Sequence, residues 1–420
     1  MSEILRYDNG LRVGVATIPS FRSVSIGYWA GVGSSKELPE INGLSHFTEH
    51  MMFKGTSKLS PFQIARRFDE MGTVSNAFTG KEMTCYYIKT IDDYVEPSFE
   101  LLSDLVFDSS FPEDELDKER KVIIEEINMG EDAPEDICYD VIASAVYKDK
   151  KLGQTILGPI DNVKRFNGDD IRRFMSEFYV PSNMAITMAG GITVKEADAL
   201  VRKYCLDRFK GDKCAAGYEQ KHEITSDCRY KFKDFEQTNI AVAYPSICLD
   251  SDKFMRQAYL SLILGGGMSS RLFQTIREQM GLAYSVYSVP SVYRNNGSFN
   301  IFVNITPKNT ECVVHRLKEE IDEVAAKGIT DEEFERARIQ LKTSCVFGFE
   351  NPQSIMNSIA KPLLMLDRDY DLDGKIAEIE AVTKEQVNEF AREYLISDRV
   401  CAAYVGKKTD VDILSILKGV

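Results

Sequence analysis

Residues 166–191 read FNGDDIRRFMSEFYVPSNMAITMAGG, and residues 382–407 read VTKEQVNEFAREYLISDRVCAAYVGK. The two align without a gap, setting Ile171 against Val387, Phe174 against Phe390, Glu177 against Glu393, Phe178 against Tyr394 and Gly190 against Gly406. In each, apolar residues at helical spacing give way to a run of strand formers, so a helix followed by a strand is written twice. Two further pairs occur in the same order. FPEDELDKER (111–120) matches ITDEEFERAR (329–338), where Pro112 or Thr330 opens a helix whose first turn is acidic. DEMG (69–72) resembles REQMG (277–281). The offsets are 216, 218 and 209 residues, too long for a solenoid repeat and right for a duplicated domain.

The expected division is a first domain over 1–208, a linker over 209–227 (FKGDKCAAGYEQKHEITSD) and a second domain over 228–420. Strand-like segments include Val24–Trp29, Thr84–Ile88, Ala185–Ala189, Ile240–Tyr244, Ser298–Asn304 and Cys401–Val405, and Asn9-Gly10 marks a tight hairpin near the start. Hairpins and polar alternation predict an α+β fold of two homologous domains. Each would be an antiparallel β-sheet with helices packed on one face.

The 420 residues carry a net charge of −14, which excludes a non-specific nucleic-acid binder. Nine scattered cysteines, none in a CxxC pair, predict reduced core thiols in a cytoplasmic protein. The N-terminus runs directly into a strand pattern, so no signal or transit peptide is expected, and no apolar run is long enough to predict a membrane-spanning helix.

Chemistry concentrates in GLSHFTEHMMFKGT (43–56), which holds two of the four histidines. On a helix His46 and His50 lie one turn apart on one face, so both imidazoles can reach one ion. Glu49 borders that face and can reach a water there without being a ligand. A catalytic zinc needs a third protein ligand. The helix predicted over 114–129 carries Glu119 and Glu126 on one face, and the ligand reading falls on Glu126, which sits among Val122, Ile123, Ile124 and Ile127. In the repeat, Glu119 meets Ala337, Glu126 meets Ser344, and the counterpart of the histidine helix (251–266) has no histidine. The acidic positions and the histidine pair are present together in one half and absent together in the other, as one metal site kept in one copy would be.

His46-Phe47-Thr48-Glu49-His50 followed by Glu126 resembles the inverzincin zinc peptidases, the family of pitrilysin, insulin-degrading enzyme and mitochondrial processing peptidase, in its short two-domain form. MGTVSNAFTGKEMTCYY, ERKVIIEEINMGEDAPED and YVPSNMAITMAGG carry the resemblance across the chain. Thr48, where the family often has an aliphatic residue, and Met71-Gly72, in place of Gly-Gly, depart from its pattern. The resemblance implies one Zn²⁺ per chain on His46, His50 and Glu126, with Glu49 as general base. It makes Glu119 an auxiliary acid that orients a ligand, and it makes Asn76, Ala77, Phe78 and Thr79 a strand that pairs with a peptide substrate. Arg277 and Tyr284 resemble the family's pair that holds substrate or the tetrahedral oxyanion. It further implies half of a clamshell chamber, completed by a homodimer or by a heterodimer with a zinc-less paralogue. The activity implied is a metalloendopeptidase of peptides. The alternative is a non-catalytic or partner-dependent subunit.

Overall fold

The computed structural model describes residues 2–148, 150–209, 211, 217 and 220–420. Of the expected linker, 210, 212–216, 218 and 219 lie outside the described residues. The strands are β1 (Glu3–Arg6), β2 (Arg12–Thr17), β3 (Ser23–Ala30), β4 (Val74–Thr79), β5 (Thr84–Ile91), β6 (Met184–Gly190), β7 (Asp227–Phe232), β8 (Thr238–Pro245), β9 (Ala283–Val292), β10 (Gly297–Ile305) and β11 (Cys401–Gly406). Along the chain the helices include α1 (Leu44–Met51), α2 (Val95–Asp108), α3 (Glu113–Glu131), α4 (Pro134–Tyr147), α5 (Gly168–Phe178), α6 (Phe254–Gly265), α7 (Asp331–Gly348), α8 (Pro352–Leu366) and α9 (Lys384–Tyr394).

The first sheet has the order β1-β2-β6-β3-β5-β4 and the second β7-β11-β8-β10-β9. Leaving out β1, the two share one topology: β2 corresponds to β7, β6 to β11, β3 to β8, β5 to β10 and β4 to β9. The directions agree as well. β2 runs parallel to β6 and β7 parallel to β11, and the other neighbours are antiparallel. The expected all-antiparallel sheets are therefore mixed. The reason lies in the repeated block itself: β6 and β11 each reach the sheet after a long helical crossover, the connection that a parallel pair needs.

Helices cover both faces of each sheet, which corrects the expected one-sided packing. On the first sheet Val13, Val15, Val24, Ile26, Tyr28, Ile88 and Ile186 form one core with Phe99 and Leu102 of α2 and Phe174 of α5. The opposite face is small, and α8 lies against it. A Cβ at Gly14 would come within 2.5 Å of Ile359, and one at Gly27 within 3.0 Å of Met356. In the second sheet Ala241, Ala243 and Ala403 give α4 the same close approach through Ile137, Cys138 and Ala145.

The compact units accordingly differ from the sequence halves. One comprises residues 1–127, 155–218 and 346–372, the other 128–154, 219–345 and 373–420. The segments that change sides contain α4 and α8, which occupy matching places in the repeat. Each fills the small-residue face of the sheet built from the other half of the sequence.

Candidate metal centre

α1 begins where the chain must turn sharply. Gly43 has φ 100°, and a Cβ there would lie 2.5 Å from the Leu157 carbonyl oxygen. No side chain of α1 caps its first turn. The wholly buried carboxylate of Glu37 does so from outside, accepting from Ser45 N at 2.6 Å, Gly43 N at 2.8 Å and Asn42 Nδ2 at 2.9 Å. Burial pushes the Glu37 carboxyl upward, and these donors pull against it. Leu44, Phe47 and Met51 anchor one side of α1 in the core, with the Phe47 ring 5.6 Å from that of Phe166. The opposite side presents His46 and His50, whose ring centroids are 4.6 Å apart.

α3 brings its acids to the same place because Leu116 and Ile123 are buried on it, fixing its rotation. Glu126 Oε2 stands 3.7 Å from His46 Nε2 and 3.5 Å from His50 Nε2. Among the described residues this trio is the one cluster of three such side chains able to hold a metal, its donor atoms all within 4.8 Å of one another. Zinc bonds of about 2.0–2.1 Å in a tetrahedron separate neighbouring ligand atoms by roughly 3.3 Å, so the trio fits with little adjustment. Its chemistry asks for a cation. His50 Nδ1 lies 3.0 Å from Glu119 Oε2, which favours the tautomer with the proton on Nδ1 and turns a lone pair toward Glu126. Two acceptors then face each other unless a proton or a metal lies between them.

Electrostatics divide the pair. Burial, then the neighbouring His50, holds His46 down to about 4, and its Nδ1 is buried without a hydrogen-bond partner. Burial also opposes charge on His50, but Glu119 and Glu126 outweigh it and raise the ring to about 9. Glu119 is buried too, yet His50 and the Lys54 ammonium, 2.7 Å from Oε1, keep it below the usual carboxylate range. His50, opposed by burial, holds Glu126 down as well. Glu49 moves the other way: burial raises it, while the Thr79 hydroxyl, donating to Oε2 at 2.6 Å, works against the shift.

The structure thus brings together His46, Glu49, His50, Glu119 and Glu126. β4 is the edge strand next to β5, and its side chains alternate between exposed Val74, Asn76 and Phe78 and half-buried Ser75, Ala77 and Thr79. The Ala77 amide is taken by the Asn76 side chain, Oδ1 accepting at 2.8 Å. Arg277 and Tyr284 belong to the second unit. Arg277 lies in a π-helical coil over Phe273–Gln279 with its guanidinium 4.6 Å from the Phe273 ring, and Tyr284 on β9 is 74% exposed. Sequence spacing does not point to Glu37 or Lys54. Glu37 precedes the helix it caps by a loop of no set length, and Lys54 reads as one more surface cation.

The family described as Insulinase (Peptidase family M16) matches residues 12–160, and that described as Peptidase M16 inactive domain matches 165–341. An uncharacterized zinc protease of Bacillus subtilis is 39% identical over 404 residues, covering 95% of this chain and 97% of its own. One of Streptomyces coelicolor is 36% identical, covering 92% of this chain and 85% of its own. Among solved structures, a peptidase M16 inactive domain from Pseudomonas fluorescens superposes with a TM-score of 0.91 at 19% identity, covering 97% of this chain and 98% of its own. A protease from Helicobacter pylori gives 0.89 at 22% identity, covering 97% and 99%.

Proposed function

From the premise that the chain belongs to the M16 peptidase family, we propose that it is a zinc-dependent metalloendopeptidase. His46, His50 and Glu126 would hold the ion and Glu49 would be the general base. The observation that carries this reading is the convergence of His46 Nε2, His50 Nε2 and Glu126 Oε2 beside a half-buried Glu49. The inactive-domain match falls mainly on the half that lacks this set, so it does not weigh against catalysis.

Zinc bound there would supply Lewis acidity, polarising a peptide carbonyl and making a nearby water acidic. The chain's own residues do the rest. Glu49 accepts the water's proton and passes it to the leaving amine, a task that suits a carboxylate whose burial raises its proton affinity. Glu119 fixes the His50 ring through Nδ1, and Lys54 fixes Glu119. The exposed edge of β4 offers main-chain groups to an extended peptide, with Asn76 and Phe78 on its open face. In a homodimer Arg277 and Tyr284 would act across to the second subunit's zinc site, holding substrate or the tetrahedral oxyanion there.

The substrates in this reading are peptides or unfolded segments, enclosed in a chamber completed by a second subunit. A homodimer fits a chain that carries both the zinc set and the Arg/Tyr pair. An obligate heterodimer with a zinc-less paralogue is the alternative, and size exclusion of the single chain separates the two. The eight free thiols among the described residues suit a cytoplasmic setting, and among those residues no helix is long and apolar enough to cross a membrane. The deciding experiment measures zinc content and cleavage of a quenched basic peptide by wild type and Glu49→Gln. Wild type without zinc, or Glu49→Gln cleaving as fast as wild type, refutes the reading.

A further inference from the structure

We propose that Thr79 serves Glu49 rather than the substrate: it is the positioning residue that pins the base to the edge strand. The inference rests on the peptidase reading above.

Four observations carry it. Thr79 is the last residue of β4, and its hydroxyl donates to Glu49 Oε2 at 2.6 Å. Along β4 the side chains of Ser75, Ala77 and Thr79 take the half-buried face, while Val74, Asn76 and Phe78 take the exposed one. A peptide adding to the strand meets its main chain and the exposed side chains, so the Thr79 hydroxyl faces away from that role. Second, Glu49 is a three-torsion side chain on α1, next in sequence to His50, whose ring Glu119 holds. Among the described residues the Thr79 hydroxyl is the one side-chain hydrogen bond that fixes it. With Oε2 occupied, Oε1 is the oxygen available for proton transfer.

Third, the second unit carries the same kind of clasp without the chemistry. There Ser288 on β9 and Ser261 on α6 share a hydrogen bond, Oγ to Oγ at 2.9 Å. α6 follows β8 as α1 follows β3, and β9 is the edge strand as β4 is. Fourth, carrying the strand registers across sets Ala77 against Ser288 and Thr79 against Pro290. Thr79 and Ser288 thus share a face, one pleat apart. A hydroxyl tie from edge strand to helix is therefore a device of this fold, present where no base exists. In the first unit its acceptor is a carboxylate, and the tie fixes where that carboxylate points.

A base displaced by about 1 Å loses on the order of 100-fold in rate, so the tie acts on kcat. The test compares wild type, Thr79→Val, Thr79→Ala and Thr79→Ser, each loaded with zinc and melted to follow cooperative unfolding. It also measures binding of an uncleaved peptide by Glu49→Gln and by Glu49→Gln/Thr79→Val, using fluorescence anisotropy. The expected result is full zinc stoichiometry throughout, with kcat lowered roughly 10- to 100-fold in Thr79→Val at unchanged KM. Thr79→Ser should recover most of the rate, and the two Glu49→Gln proteins should bind peptide equally. Thr79→Val cleaving at the wild-type rate overturns the proposal. So does a weaker peptide affinity caused by Thr79→Val in the Glu49→Gln protein, which would make Thr79 a substrate contact. Thr79→Ser as impaired as Thr79→Val would trace the effect to shape, and loss of zinc or of cooperative unfolding in both Thr79→Val and Thr79→Ala would assign the hydroxyl to the fold. Either overturns it. An inactive wild type refutes the peptidase reading itself, whereas an active wild type with an unaffected Thr79→Val refutes only this inference.

Discussion

Replacing Glu37 with glutamine changes one oxygen to an amide nitrogen at a site where Asn42, Gly43 and Ser45 all donate to the carboxylate. Oε2 accepts from Gly43 N and Asn42 Nδ2, and Oε1 accepts from Ser45 N at 2.6 Å. Glutamine has one acceptor oxygen. Set in place of Oε2, it keeps two of these bonds and points its NH₂ at the Ser45 N–H; flipped, it keeps only the third. The better orientation still loses one bond to a charged acceptor, about 1.5–3 kcal/mol, and leaves a buried donor unpaired, about 1–3 kcal/mol more. Relief of the buried charge, which burial already disfavours, offsets part of that, leaving a net loss of about 2–4 kcal/mol. For a unit of this size each kcal/mol lowers Tm by about 2–4 °C, so thermal unfolding should begin roughly 5–15 °C lower. Because Glu37 fixes the first turn of the helix that carries both histidines, zinc should also bind about tenfold more weakly. Circular dichroism melts of metal-stripped protein and chelator competition on loaded protein read the two effects separately. A Tm within about 1 °C of wild type, together with an unchanged metal affinity, refutes the claim that this carboxylate holds α1.

Two other outcomes test the metal centre. Glu119→Gln leaves His50 Nδ1 and Lys54 without their shared carboxylate, and should weaken zinc about 10- to 100-fold in chelator competition while the far-ultraviolet spectrum stays unchanged. Metal uptake by stripped protein should depend on pH through His50. Its folded pKa, raised to about 9, lies above the ordinary value of 6.5, so the imidazolium stabilises the stripped fold fully below about pH 6.5 and that contribution is lost as pH rises through 9. At pH 7.5 zinc must displace that proton, whereas His46, held near 4, is already neutral. Titration calorimetry in two buffers of different ionisation enthalpy should find close to one proton released per ion, with affinity climbing from pH 6.5 to about 9. No proton release, or a flat affinity over that range, contradicts the assignment.

The six strands that hydrophobic runs mark out all form, each within three residues of the expected ends, because five have central positions buried on both faces and β5 keeps one face, Thr84, Tyr86, Ile88 and Thr90, buried throughout. The pairing of His46 with His50 and the alignment of Glu119 with Glu126 follow from helical geometry alone, which spacing along the chain records. The duplication was equally legible, since β6 and β11 repeat the same helix-then-strand block and take the same parallel place beside β2 and β7.

The sequence by itself therefore determined the repeat, the strands, the histidine pair and the shared face of Glu119 and Glu126, all of them relations carried within single helices and strands or by their order. Tertiary structure alone decided the rest. The exchange of α4 and α8 between sheets depends on two faces made small by Gly14, Gly27, Ala241 and Ala403, and smallness does not name its partner. Glu37, Lys54 and Thr79 act across loops or between separate elements, where the distance along the chain has no fixed period and only packing brings donor to acceptor. A β-strand's alternation tells that Thr79 turns inward, but not that a carboxylate thirty residues earlier waits on the helix beneath it.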